Sequence, residues 1–138
     1  MRSAPIFALP ALLCAPAVLV AQPAAEPAPW RSVIEAQLDA FRAGDVAAAF
    51  GYAAPGIAAQ FAGPEAFGEM VRRGYPMVWR NAQVQFLDGR DVGAQYAQPV
   101  LLTDGDGALH RLVYLMEETS EGWRIAGVSA LAAGGTDA

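Results

Sequence analysis

The stretch Met70–Arg80, Met-Val-Arg-Arg-Gly-Tyr-Pro-Met-Val-Trp-Arg, divides this chain into two regimes. Before it, apolar residues recur every three or four positions, as on one face of a helix. After it they alternate, as in strands covered on one side. Gly74 and Pro76 stand at the change. Gly74 ends a helix, and Pro76 cannot continue one and turns Tyr75 toward an extended conformation. Helical segments followed by strands with short turns give antiparallel neighbours and helices segregated from the sheet, which is an α+β domain.

Trp30, Val33, Ile34, Leu38 and Phe41 make one apolar stripe, so a first helix starts near Pro29 or Trp30. Gly44 suits the position just past its end, and Asp45 caps a shorter helix that turns Val46, Ala49 and Phe50 inward. Ile57 and Phe61, four apart, suggest a single turn. Pro64 and Glu65 open a third helix, with Phe67, Met70 and Val71 on its buried face. Arg72 and Arg73 fall in its last turn, where cations meet the negative end of the helix dipole.

Four strands are expected in the second half: Met77–Leu87, Gln95–Thr103, Leu109–Glu117 and Trp123–Leu131. Either Asp88-Gly89 or Gly93-Ala94 joins the first two. Pro99 inside the second implies an edge position or a bulge. Asp104-Gly105-Asp106-Gly107 is a hairpin turn, and Ser120-Glu121-Gly122 makes the last one.

Residues 1–21 read as a secretory signal, with Arg2 as a thin positive start and Ile6–Val20 too short an apolar run to cross a bilayer. Ala21 is the expected cleavage position. Residues 22–29 read as an Ala/Pro-rich linker, 30–131 as one α+β domain and 132–138 as a frayed tail. The expected compartment is periplasmic or extracellular. Cys14 is the only cysteine, and Leu12-Leu13 before it lack the small residues of a lipid-attachment site. Cleavage after Ala21 leaves no cysteine, hence no disulfide, thiolate nucleophile or cysteine metal site. All nine basic residues are Arg; without Arg2, eight face fourteen acids, a net charge of −6. An acidic domain with no basic run is not built for nucleic acid or an anionic membrane.

A closer likeness covers about Val33 to Leu131. Its parts are Ile34-Glu35-Ala36-Gln37-Leu38-Asp39-Ala40-Phe41, the segment from Ala49-Phe50 to Ala54-Pro55-Gly56-Ile57, Gly63-Pro64-Glu65-Ala66-Phe67, the segment from Met70-Val71 to Gly74-Tyr75-Pro76-Met77-Val78-Trp79-Arg80, and Glu121-Gly122-Trp123-Arg124-Ile125 to Gly127-Val128. On these residues the chain resembles a family of small exported alphaproteobacterial proteins catalogued as a domain of unknown function, DUF4864. The Gly-Tyr-Pro-Met-Val-Trp-Arg run is the specific part. The resemblance implies export and a cystatin-like, nuclear-transport-factor-2-like fold: three N-terminal helical segments packed on a curved four-stranded antiparallel sheet. It carries over no catalytic residue.

In a helix-on-sheet fold of that kind the default binding site is an apolar pocket between the layers. Tyr75, Trp79, Tyr96, Tyr114 and Trp123 are the residues expected to line one; the competing reading is that they fill the core. His110, the sole histidine, follows a hairpin turn with no orienting partner in view, which suits a structural role. Glu117 and Glu118 point to opposite faces of a strand. Asp104 and Asp106 start like a calcium loop, but the rest of the twelve-residue pattern is missing. Arg72, Arg73 and Arg80 suit an anion, or surface ion pairs. No Gly-rich phosphate loop, serine elbow or metal-ligand histidine spacing occurs, so no cofactor or metal is expected.

The expectation is therefore a non-catalytic exported domain that binds a small apolar ligand or a partner protein. The alternative is an isomerase- or hydrolase-like enzyme of the same fold, which needs a buried carboxylate beside a Tyr or His. Asp91 is the one acid near a strand that is a candidate to turn inward. A third arrangement is a homodimer that covers the open sheet face and needs a large apolar patch there.

Overall fold

The computed structural model describes residues 27–131. The expected signal at 1–21, the linker up to residue 26 and the tail at 132–138 lie outside the described residues. Five helices precede five strands: α1 (Pro29–Arg42), α2 (Val46–Gly51), α3 (Pro55–Ala58), α4 (Pro64–Gly74) and α5 (Pro76–Trp79), then β1 (Asn81–Phe86), β2 (Arg90–Val92), β3 (Gln95–Asp104), β4 (Leu109–Thr119) and β5 (Gly122–Ala130).

This corrects the expected arrangement of three helical segments on a curved four-stranded sheet. The sheet is an open one of five strands in the order β1-β3-β4-β5, with β2 also paired to β3. The extra pieces are short. α3 and α5 are four-residue helices, each begun by a proline in its first turn. A proline there loses no hydrogen bond and has the right φ, so Pro76 starts a helical turn at the point where an extended segment is expected. Residues 76–79 accordingly belong to α5, and the strand starts only at Asn81.

Both candidate turns after β1 are used. Leu87–Gly89 interrupts the arm opposite β3, and Gly93, at φ 62°, turns β2 into β3. The register shifts by one residue across the interruption, from Phe86↔Val100 to Arg90↔Ala97. Pro99 lies on β3 opposite that break. β3 is thus an interior strand, contrary to the edge position a proline suggests. Pro99 is tolerated because the amide hydrogen it lacks would point into the gap between β1 and β2, while its carbonyl accepts from Leu87 N at 3.0 Å.

All remaining pairs are antiparallel, with a bulge in β5 between the pairs Leu115↔Gly127 and Met116↔Ile125. Beside it β5 gains a second neighbour. Ala53 bridges Ile125, with Ala54 N donating to Ile125 O and Ile125 N to Tyr52 O, both at 2.8 Å. The inner face of the sheet carries Val100, Leu102, Leu112, Tyr114 and Met116, which pack with Ile34, Leu38 and Phe41 of α1 and Phe67 and Val71 of α4 into one buried core. The alternate residues of β3 and β4, Ala97, Pro99, Leu101, Val113 and Leu115, are half-buried on the other face. The large apolar side chains that are truly exposed among the described residues are Val92, Leu109 and Leu131, near strand ends.

Candidate functional site

A cavity of about 360 Å³ lies between the helices and the β4–β5 half of the sheet. α1 contributes Gln37 and Phe41, α4 contributes Phe67, Met70 and Val71, and α5 contributes Val78. Ile57 and Phe61 come from the α3 region, where Pro55 starts a turn that aims Ile57 inward. The sheet supplies Tyr114 from β4 and Ile125, Gly127 and Val128 from β5. The bulge in β5 and the Ala53–Ile125 bridge together fix that wall. Phe67 is the hub of the aromatic part, with ring centroids 5.3 Å from Phe50, 5.5 Å from Phe61 and 6.0 Å from Phe41.

The polar groups on this wall are amides and phenols. Gln37 is 3% exposed and donates from Nε2 to Ala49 O at 3.1 Å, tying α1 to α2. Gln60 donates to Gly56 O within its own turn. The Tyr75 hydroxyl donates to Val128 O at 3.0 Å, which joins the α4–α5 junction to β5 and turns the ring toward the cavity. Tyr114 is fully buried, and its hydroxyl has no hydrogen-bond partner among the described residues. Burial pushes this phenol's pKa well above the usual tyrosine value, because the phenolate would have no solvation there. It is a neutral donor at every ordinary pH. Among the described residues the wall includes no Asp, Glu or His. Such a surface can enclose an apolar body and donate or accept a neutral hydrogen bond.

The five aromatic residues singled out in the sequence are divided among three places. Tyr75 and Tyr114 reach the cavity. Tyr96 and Trp123 instead pack around Trp30 at one end of the sheet, with centroids 4.1 and 5.1 Å from its ring. Trp79 packs 5.8 Å from Phe41, with the Arg72 guanidinium 5.3 Å over its ring. Gln37 was not among the expected residues. Its signal was nonetheless there: it falls on the α1 stripe between Ile34 and Leu38, and a polar side chain at a core position needs a partner.

The other candidates have local roles. His110 Nε2 meets Asp104 Oδ2 at 2.8 Å across the β3–β4 hairpin, so it does have a partner. Asp104 Oδ1 also accepts from Asp106 N and Ala108 N at 2.9 and 3.0 Å. The pair with His110 and these backbone bonds hold the Asp104 carboxyl below its usual pKa. Arg80 pairs with Asp106 at 3.1 Å, and Arg73 with Glu69 at 3.0 Å. Asp91 is exposed on β2. Among the described residues no group of three or more His, Cys, Asp or Glu is placed to hold a metal ion, and no helix is long and apolar enough to cross a membrane.

Fold and site together define a small α+β domain with an uncharged apolar cavity between its two layers. More particularly, the chain belongs to the DUF4864 family: the family model, described as "Domain of unknown function (DUF4864)", matches residues 23–138. Comparison with curated proteins found no match.

Proposed function

We propose that this protein is an exported binding domain that holds a small apolar ligand in the cavity between α1, α3, α4 and the β4–β5 pair, with Tyr75 and Tyr114 as contact residues. The observation that carries this reading is the cavity itself. It is partly open to solvent, is lined mainly by apolar side chains, and at about 360 Å³ falls within the range of small-molecule sites. Binding is favoured over catalysis by the wall's chemistry. An isomerase- or hydrolase-like reaction needs a base within reach of the substrate, and the wall's polar side chains are Gln37, Gln60, Tyr75 and Tyr114. Export is supported by the sequence of residues 1–21 alone.

The test is native mass spectrometry of the protein purified from its own periplasm, beside an Ile57→Trp variant. Ile57 is half-buried on the cavity wall, so an indole there occupies the space a ligand needs. The expected result is a reproducible extra mass on the native protein that the variant lacks. An extra mass that survives Ile57→Trp would move the ligand elsewhere, and a bare native protein that takes up no apolar probe would end the reading.

A further inference from the structure

Tyr114 lines the cavity, and its hydroxyl is the one fully buried side-chain polar group of the lining residues that lacks a partner among the described residues. Buried hydroxyls in folded proteins are paired in the large majority of cases, because an unpaired one forfeits its hydration for nothing. Tyr114 is fully buried on the inner face of β4, between Gln98 on β3 and Val128 on β5. Neither neighbour serves it. The Gln98 amide is spent on Leu87 O, Pro99 O and Trp30 Nε1, and Val128 O accepts from Tyr75. Phenylalanine would fill the same place without the penalty. The hydroxyl is therefore a feature that the core packing does not account for.

We propose that the cavity takes a neutral apolar molecule bearing one hydrogen-bond acceptor, a ketone, ester or similar carbonyl on a hydrocarbon body, and that the Tyr114 hydroxyl donates to that acceptor. This rests on the binding reading given above and names the class of ligand. Two features set the class. Among the described residues the wall carries no Arg or His, so a carboxylate or phosphate head would be buried without a counter-charge, which is far costlier than burying a carbonyl that receives a hydrogen bond. Apart from Gln37, Gln60 and Tyr75, which donate to backbone carbonyls, the rest of the lining is apolar and includes Phe41, Phe67, Val71, Ile125 and Val128. Half-buried Ile57, Phe61 and Met70 are the side chains that must shift to admit the ligand, since the hydroxyl is closed to solvent without it.

The experiment uses the full chain and three probes of equal length, n-dodecane, 2-dodecanone and dodecanoate, each titrated against bound Nile red at neutral pH, on the native protein and on Tyr114→Phe. The expected result is that the ketone binds about tenfold tighter than the alkane, a difference of about 1.4 kcal/mol. It also binds tighter than the anion, and Tyr114→Phe removes the ketone's advantage over the alkane. If alkane and ketone bind alike, if dodecanoate binds best, or if Tyr114→Phe keeps the ketone preference, the ligand class is wrong although the cavity binds. If no probe displaces the dye from the native protein, the cavity reading itself fails and this proposal fails with it.

Discussion

Two buried side chains show how a single residue decides this structure. Gln98 is 1% exposed at the centre of the sheet. Its Nε2 donates to Leu87 O at 2.7 Å and Pro99 O at 2.8 Å, and its Oε1 accepts from Trp30 Nε1 at 2.9 Å. The residue thus closes the gap between β1 and β2 that Pro99 requires and fastens the start of α1 to the sheet. Gln98→Leu leaves the Leu87 carbonyl and the Trp30 indole without partners. The expected loss is about 1–3 kcal/mol in urea unfolding, because both groups left unpaired are only part-buried and a fully buried one costs about 1–3 kcal/mol by itself. Tyr114→Phe has the opposite sign. Deleting a hydroxyl that has no partner raises the stability of the ligand-free protein by about 1 kcal/mol, and a loss in the same unfolding assay would show that the hydroxyl is partnered. Neither role was legible in the sequence. Gln98 reads there as a polar residue of an alternating strand, and Tyr114 as one aromatic among several. What distinguishes them is which partners fold within reach, which depends on residues far away in the chain.

At the scale of elements, the hairpin between β3 and β4 was legible because its turn residues act locally. Asp104 accepts from two turn amides and from His110, and its carboxyl is held below the usual pKa, first by the His110 bond and then by the Ala108 amide. A carboxyl depressed on folding stabilises the fold above its unfolded pKa, near 3.8, and loses that contribution as pH falls through its lower folded value. Asp104→Asn should therefore flatten the acid side of the stability profile below about pH 4, read as the urea midpoint against pH. His110→Gln should flatten it partly, because the amide bonds to Asp104 remain. The packing of α2 on α4 depends on a different kind of residue. Gly68 faces Val46, and a Cβ at Gly68 would run into the valine side chain. Gly68→Ala forces the two helices apart, with an expected loss of about 1–3 kcal/mol by the same assay. The starts of α1, α2 and α4 were legible from Pro29, Pro64 and the Asp45 cap, which accepts from Ala48 N at 3.0 Å, whereas the start of α3 at Pro55 was not. The Pro76 turn was not, because the same residue that ends one helix can open the next. β2 was missed for a similar reason: three residues, all exposed, carry no alternating pattern.

Across the whole molecule, the segment beside the cavity is attached differently from the strands behind it. Core strands β3 and β4 pair along most of their length, and their inner residues are fully buried. The segment from Tyr52 to Phe61 is held differently. Ala53 and Ala54 are buried beside Ile125 and anchor its start, but from Pro55 onward it holds one four-residue helix, and its inward apolar side chains there are Ile57 and Phe61. A segment with few buried contacts opens at lower free energy than the core it covers. In native-state hydrogen exchange, the amides of Ile57, Ala58 and Ala59 should therefore exchange well before those of Leu102 and Leu112. A ligand in the cavity touches Ile57 and Phe61 as well as Tyr114 and Val128, so it binds only the closed arrangement. It must then slow exchange across that segment in proportion to its occupancy, by the factor 1 + [L]/Kd, about a hundredfold at a hundred times Kd. Protection confined to the strands would mean that the ligand does not enter past this segment. Uniform protection of every amide would mean that the segment opens only when the whole domain unfolds.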